Sequence, residues 1–105
     1  MPESTIMSDQ SSQSRQAVLA RITGKVQGVW YRRWTVDTAT ALGLDGWVRN
    51  REDGSVEALF AGSAEQVSAM LEACRQGPPD ARVIDVVAEP ADDPGHLVFA
   101  QRSTV

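Results

Sequence analysis

Between an alternating apolar run and a helical repeat, the chain reads G-K-V-Q-G-V-W-Y-R, from Gly24 to Arg32. No other stretch constrains the fold as much. A strand must end where the glycines begin, a helix must start where the arginine stands, and only a short loop lies between. The two glycines free the backbone to gather its amides, and a helix N-terminus adds a partial positive charge. Arg32 brings a planar, permanently charged fork that fits a phosphate. The pattern is that of a small anion site at a strand-to-helix junction.

The flanking sequence supports both elements and supplies five more. In Ala17–Lys25, Val18, Ala20 and Ile22 alternate with Leu19, Arg21 and Thr23, as in a strand with a buried face. Trp30–Leu42 repeats Tyr31, Trp34, Thr38, Ala39 and Leu42 at helical spacing, pairs Arg33 with Asp37 at i,i+4, and stops at Gly43. Leu44–Arg51 and Ser55–Ala61 flank the turn signal Glu52-Asp53-Gly54 and read as a hairpin. Ser63-x-x-Gln66 is a capping box that opens a second helix, with Val67, Met70, Leu71 and Cys74 as its apolar stripe and Gly77-Pro78-Pro79 as its stop. Arg82–Glu89 reads as a fourth strand and His96–Arg102 as a short last one.

The order is β-α-β-β-α-β with a short extra strand. It predicts an α+β fold, the ferredoxin-like α/β sandwich, with an antiparallel sheet and two helices on one face. Residues 17–105 are expected to form the single domain. Residues 1–16, rich in Ser and Gln and without apolar periodicity, are expected to be a disordered tail.

Composition narrows the function by exclusion. No stretch approaches the roughly 18–20 apolar residues of a membrane span, and the N-terminus lacks the apolar core of a secretory signal. With a single cysteine there is no internal disulfide, so the expectation is a cytoplasmic protein, most simply a monomer, that does not bind membranes. The net charge of −4 argues against non-specific nucleic-acid binding, which needs a basic face. It leaves one small anion open, because Lys25, Arg32, Arg33, Arg49 and Arg51, half of the ten basic residues, fall in or beside the glycine loop and the hairpin.

The catalytic inventory is thin. His96 is the only histidine, and it follows Pro94-Gly95 as a surface residue would. Cys74 sits on an apolar stripe and reads as core. Asp92-Asp93 in a Pro/Gly loop reads as solvated, with no further ligands at metal-binding spacing, so no metal is expected. What remains is Arg32 in the loop and Arg49-Asn50-Arg51 at the end of the second strand. On spacing alone, Arg32 can equally be a solvated helix arginine, and Asn50 can equally open the hairpin turn.

The motif G-K-V-Q-G-V-W-Y-R is followed by Ala39-x-x-Leu42-Gly43-Leu44-x-Gly46-Trp47-Val48-x-Asn50-x-x-Asp53-Gly54-x-Val56-Glu57, and the chain ends with Phe99-x-x-Arg102. Taken together, these residues resemble the acylphosphatase family over about Val18–Arg102. The resemblance implies hydrolysis of the carboxyl-phosphate anhydride of acyl phosphates to a carboxylate and inorganic phosphate, without a cofactor. It implies that Arg32 binds the phosphate, that loop amides across Lys25, Val26, Gln27, Gly28, Val29 and Trp30 cradle its oxygens, and that Asn50 holds the attacking water. Three positions depart from the family pattern. Trp30-Tyr31 stands where a smaller residue and Phe are common, and Arg51 follows Asn50 where Thr or another small polar residue is common. Two other readings are a catalytically silent phosphate or nucleotide sensor on the same fold, and an RNA-binding sandwich. The third strand, Ser55-Val56-Glu57-Ala58-Leu59-Phe60, is not the basic- and aromatic-rich strand the RNA reading needs.

Overall fold

The computed structural model describes residues 15–95 and 98–105. The elements are β1 (Arg15–Lys25), α1 (Tyr31–Ala41), β2 (Asp45–Asn50), β3 (Val56–Ser63), α2 (Ala64–Gln76), β4 (Arg82–Pro90) and β5 (Phe99–Gln101). The expected order holds throughout. Most of the tail expected over residues 1–16 lies outside the described residues, as does His96, the expected first residue of the last strand. β1 begins at Arg15, two residues before the expected start. There Arg15 pairs with Ser63 in the ladder and its side chain reaches Asp45 at 2.9 Å and Asp93 at 2.6 Å.

The sheet order is β4-β1-β3-β2-β5. Ala20 and Ile22 of β1, Val48 of β2, Val56, Ala58 and Phe60 of β3, and Val86 of β4 share one face. They form a single core cluster with Tyr31 and Ala39 of α1 and Val67, Met70 and Cys74 of α2. Both helices therefore cover one face, as the alternation predicts. Leu71, expected on the buried stripe of α2, packs at its margin, half-buried. On α1 the fully buried polar residue is Thr35, which the apolar pattern could not flag; its hydroxyl donates to the Tyr31 carbonyl at 2.7 Å.

The expected antiparallel sheet needs one correction: β5 runs parallel to β2, with Gly46 opposite Phe99 and Val48 opposite Gln101, so the sheet is mixed. The reason is where the last connection runs. β4 ends with Pro90 opposite Val18, near the start of β1. β1 and β2 both run antiparallel to β3, so they start at the same end of the sheet. A connection that stays at that end delivers β5 to the start of β2, and β5 then runs the same way. The Gly46 amide donates to the Val98 carbonyl there at 3.0 Å.

Candidate active site

The same topology puts the ends of β1, β2 and β5 together. Ile22 of β1 faces Val56 of β3, and Val56 faces Asn50 of β2. The glycine loop that leaves β1 therefore rises beside Asn50. Beyond β5 the chain continues along β2: the Arg102 amide donates to the Val48 carbonyl at 2.8 Å, and the Val105 amide to the Asn50 carbonyl at 3.2 Å. Asn50 is thus held by backbone from both neighbours.

A cavity of about 470 Å3 opens at this end of the sheet, lined by Val26, Gly28, Trp30, Tyr31, Arg32, Arg33, Asn50 and Gln101. It brings together Val26, Gly28, Trp30, Arg32 and Asn50 among the residues singled out from the sequence. Lys25, Gln27 and Val29 do not line it. Lys25 is exposed at the end of β1 opposite Arg82, and the Val29 side chain is buried in the core. Gln27 turns its side chain to the hairpin, where its amide donates to the carbonyls of Arg51 at 2.7 Å and Ser55 at 2.8 Å.

The backbone of the loop has the form of an anion nest. Gly28 has φ 75°, and Trp30, the cap of α1, has φ 65° and ψ 22°; Val29 between them keeps a negative φ. Alternating hands along a chain turn successive amides toward one point. A Cβ built at Gly28 would meet nothing within 4 Å, so the loop faces open space there. No side chain caps the first turn of α1, and no acidic residue stands in it. The contrast with α2 is direct. Ser63 accepts from the Gln66 amide at 3.1 Å, Gln66 accepts from the Ser63 amide at 2.8 Å, and Glu65 occupies the first turn. One helix start is sealed by its own sequence and the other is left without a side-chain cap.

Arg32 is half-buried, and among the described residues its guanidinium has no hydrogen-bond or ion-pair partner. The cations around it are engaged. Arg33 pairs with Asp37 at 3.4 Å on the exposed side of α1, as the spacing predicts. Arg49 and Arg51, on either side of Asn50, both bind Oε1 of the buried Glu57, at 2.8 and 3.1 Å. Burial pushes the Glu57 carboxyl up, but the hydrogen bonds and charges of Arg49 and then Arg51 outweigh it and hold the group below its ordinary value. Arg49 also lies 4.6 Å over the Trp47 ring, with Arg102 at 4.9 Å. The two arginines are thus fixed to one carboxylate while Asn50 faces the cavity.

The first residue of the helix is anchored from behind. The Tyr31 hydroxyl donates to the Cys74 carbonyl at 2.6 Å, in the last turn of α2. Burial above all pushes the Tyr31 phenol far up, so it stays protonated and donates. Burial likewise pushes the Cys74 thiol up to about 12, which suits core packing and not nucleophilic attack. Among the described residues no carboxylate or imidazole lines the cavity, and no group of three or more His, Cys, Asp and Glu gathers to hold a metal. No helix there is long and apolar enough to cross a membrane.

The open amide nest, the unpaired arginine and the facing asparagine occur in a chain whose residues 18–100 match the acylphosphatase family model. The chain belongs to the acylphosphatase family. It is 58% identical over 90 residues to the acylphosphatase of Rhodospirillum rubrum, a match covering 86% of this chain and 99% of that one. It is 50% identical over 101 residues to that of Rhizorhabdus wittichii, covering 94% and 100%. The solved structure of an acylphosphatase from Coxiella burnetii superposes with a TM-score of 0.81 at 32% identity, covering 84% of this chain and 93% of that one. Membership makes the protein a hydrolase of acid anhydrides that acts on acyl phosphates. Two features of this acylphosphatase site escaped sequence reasoning. Gln101 reaches the cavity only because β5 is parallel to β2, and nothing local signals that. The Gln27 side chain carries no signal either, because its partners are 24 and 28 residues away.

Proposed function

We propose that the protein hydrolyses acyl phosphates with Arg32 and the loop amides from Lys25 to Trp30 gripping the phosphoryl group and Asn50 positioning the water. The observation that carries this reading is that Arg32, half-buried and without a partner among the described residues, lines the same cavity as Asn50. The water oxygen attacks phosphorus, the bond from phosphorus to the acyl oxygen breaks, and the carboxylate leaves. An amide is no base at neutral pH, so the water's proton passes to a phosphoryl oxygen of the substrate. The leaving carboxylate needs little acid assistance, which fits a cavity that no histidine or carboxylate lines among the described residues. Phosphoryl transfer then asks for charge stabilisation and in-line placement, and these residue types supply both. We also read the protein as a cytoplasmic monomer that does not bind nucleic acid. A site built from one chain and a net charge of −4 support that reading.

The test is steady-state hydrolysis of benzoyl phosphate together with inhibition by inorganic phosphate. Arg32→Ala should abolish measurable turnover and phosphate inhibition, and Arg32→Lys should restore little, since a point charge replaces a fork. Asn50→Ala should lower kcat by about 10²- to 10³-fold, the usual effect of removing one preorganised donor, while phosphate inhibition stays near normal. Near-full turnover in Asn50→Ala would refute the water-holding role. A silent sensor on this fold would bind phosphate without turnover in the unmodified protein.

A further inference from the structure

The cavity is much larger than a phosphoryl group requires. Its 470 Å3 falls in the range that takes whole small molecules. If the phosphate sits on Arg32 and the loop amides, as proposed above, the remaining space belongs to the acyl group. Trp30 stands on the rim of that space. Its side chain is 78% exposed although it is among the most apolar in the chain. It is also the one non-glycine residue with positive φ among the described residues. Bulky side chains rarely adopt that conformation, and where they do the strain clusters at functional sites. The nest needs the left-handed backbone at position 30, which glycine would provide without strain. An indole at that position gains nothing from the core, so its exposed face is available to a ligand. Arg33, the other cation at the rim, is engaged by Asp37, which disfavours an anionic acyl group.

We propose that Trp30 is the platform for the acyl group and makes the enzyme prefer acyl phosphates with aromatic or extended apolar acyl groups over acetyl phosphate. An aromatic acyl group laid on the indole buries apolar surface on both partners and adds the offset-stacking attraction of two rings. A methyl group does little of either.

The test measures kcat/KM for benzoyl phosphate and acetyl phosphate in the unmodified protein, Trp30→Gly and Trp30→Phe. Glycine keeps the left-handed backbone while removing the platform, and phenylalanine restores an aromatic face. Any change in the grip on phosphate affects both substrates alike, so the ratio of the two kcat/KM values isolates the acyl group. The benzoyl-to-acetyl ratio should fall roughly 3- to 10-fold in Trp30→Gly, mainly through the KM for benzoyl phosphate, and should largely return in Trp30→Phe. An unchanged ratio in Trp30→Gly, or no recovery in Trp30→Phe, would overturn the proposal. Failure of the Arg32 reading has a separate signature, phosphate inhibition that survives Arg32→Ala whatever Trp30 does.

Discussion

Single residues divide into those that line the cavity and those that hold them in place, and the two kinds differ in how openly the sequence shows them. Arg32 and Asn50 stand out only through the family resemblance; on spacing alone the glycine loop before one and the tight turn after the other leave each with a plain structural reading. Gln27 shows even less: its backbone belongs to the glycine loop, but its side chain ties that loop to the hairpin at Arg51 and Ser55. Both carbonyls also accept a backbone amide, from Gly54 at 3.0 Å and from Arg51 at 2.9 Å. Gln27→Leu should therefore cost only about 1 kcal/mol of stability in denaturant unfolding. Its turnover should fall roughly tenfold or more, because the distance from loop to Asn50 is no longer fixed. Unchanged kcat would mean that the tie does not position the site. Tyr31→Phe should show the opposite pattern. It keeps the ring but leaves the Cys74 carbonyl without its hydroxyl donor, at a cost of about 1–2 kcal/mol in unfolding, with much smaller effects on kcat.

At the scale of elements, the two helix starts are specialised in opposite directions. α2 closes its own first turn with the Ser63–Gln66 box, as the sequence predicts, and it packs against β1, β3 and β4 without lining the cavity. Ser63→Ala should cost about 1 kcal/mol by thermal unfolding and leave kcat and KM unchanged. A kinetic defect in that variant would show that the two helix starts are coupled. The strands are less evenly legible. Alternation and turn chemistry place β1 to β4 to within two residues, because each has a local stop and an alternating apolar pattern, although in β4 Val86 alone is buried. The direction of β5 depends on which end of the sheet the preceding connection occupies, a fact about three-dimensional routing that no period records. Gly46 shows the same limit. It lies opposite Phe60 and Phe99 with φ 135°, and a Cβ there would stand 1.8 Å from the Leu59 carbonyl oxygen. The close approach of β3 dictates that glycine, and the sequence shows only that a glycine is present.

For the whole molecule, one carboxylate on the far face of the sheet fixes the residues on either side of Asn50. Glu57 pairs with Asn50's neighbours Arg49 and Arg51 on the face away from the helices, while Asn50 serves the cavity. Arg51, which departs from the usual small polar residue, is thereby part of a clamp. The sequence could not reveal this, because a run of Arg-Asn-Arg does not say which carboxylate will lie across the sheet. The clamp makes stability depend on acidity in a definite direction. The folded Glu57 carboxyl titrates below its ordinary 4.5, so as pH falls the unfolded chain takes up the proton first. The stabilisation is complete above about pH 4.5 and is lost as pH drops through the lower, folded value. The Asp53 carboxyl in the same hairpin is also held low, by hydrogen bonds from the Ser55 hydroxyl and amide first and by Arg21 and Arg51 after them, and it adds in the same direction. Thermal unfolding followed from pH 7 to pH 3 should show Tm nearly level down to about pH 5 and falling below it. Glu57→Gln should be less stable at pH 7 by about 1–3 kcal/mol, the worth of charged hydrogen bonds, and its Tm should fall less steeply below pH 5. Asn50 would lose its fixed neighbours in that variant, so its kcat should drop while phosphate inhibition persists. An acid transition as steep in Glu57→Gln as in the unmodified protein would assign the pH dependence to other carboxylates.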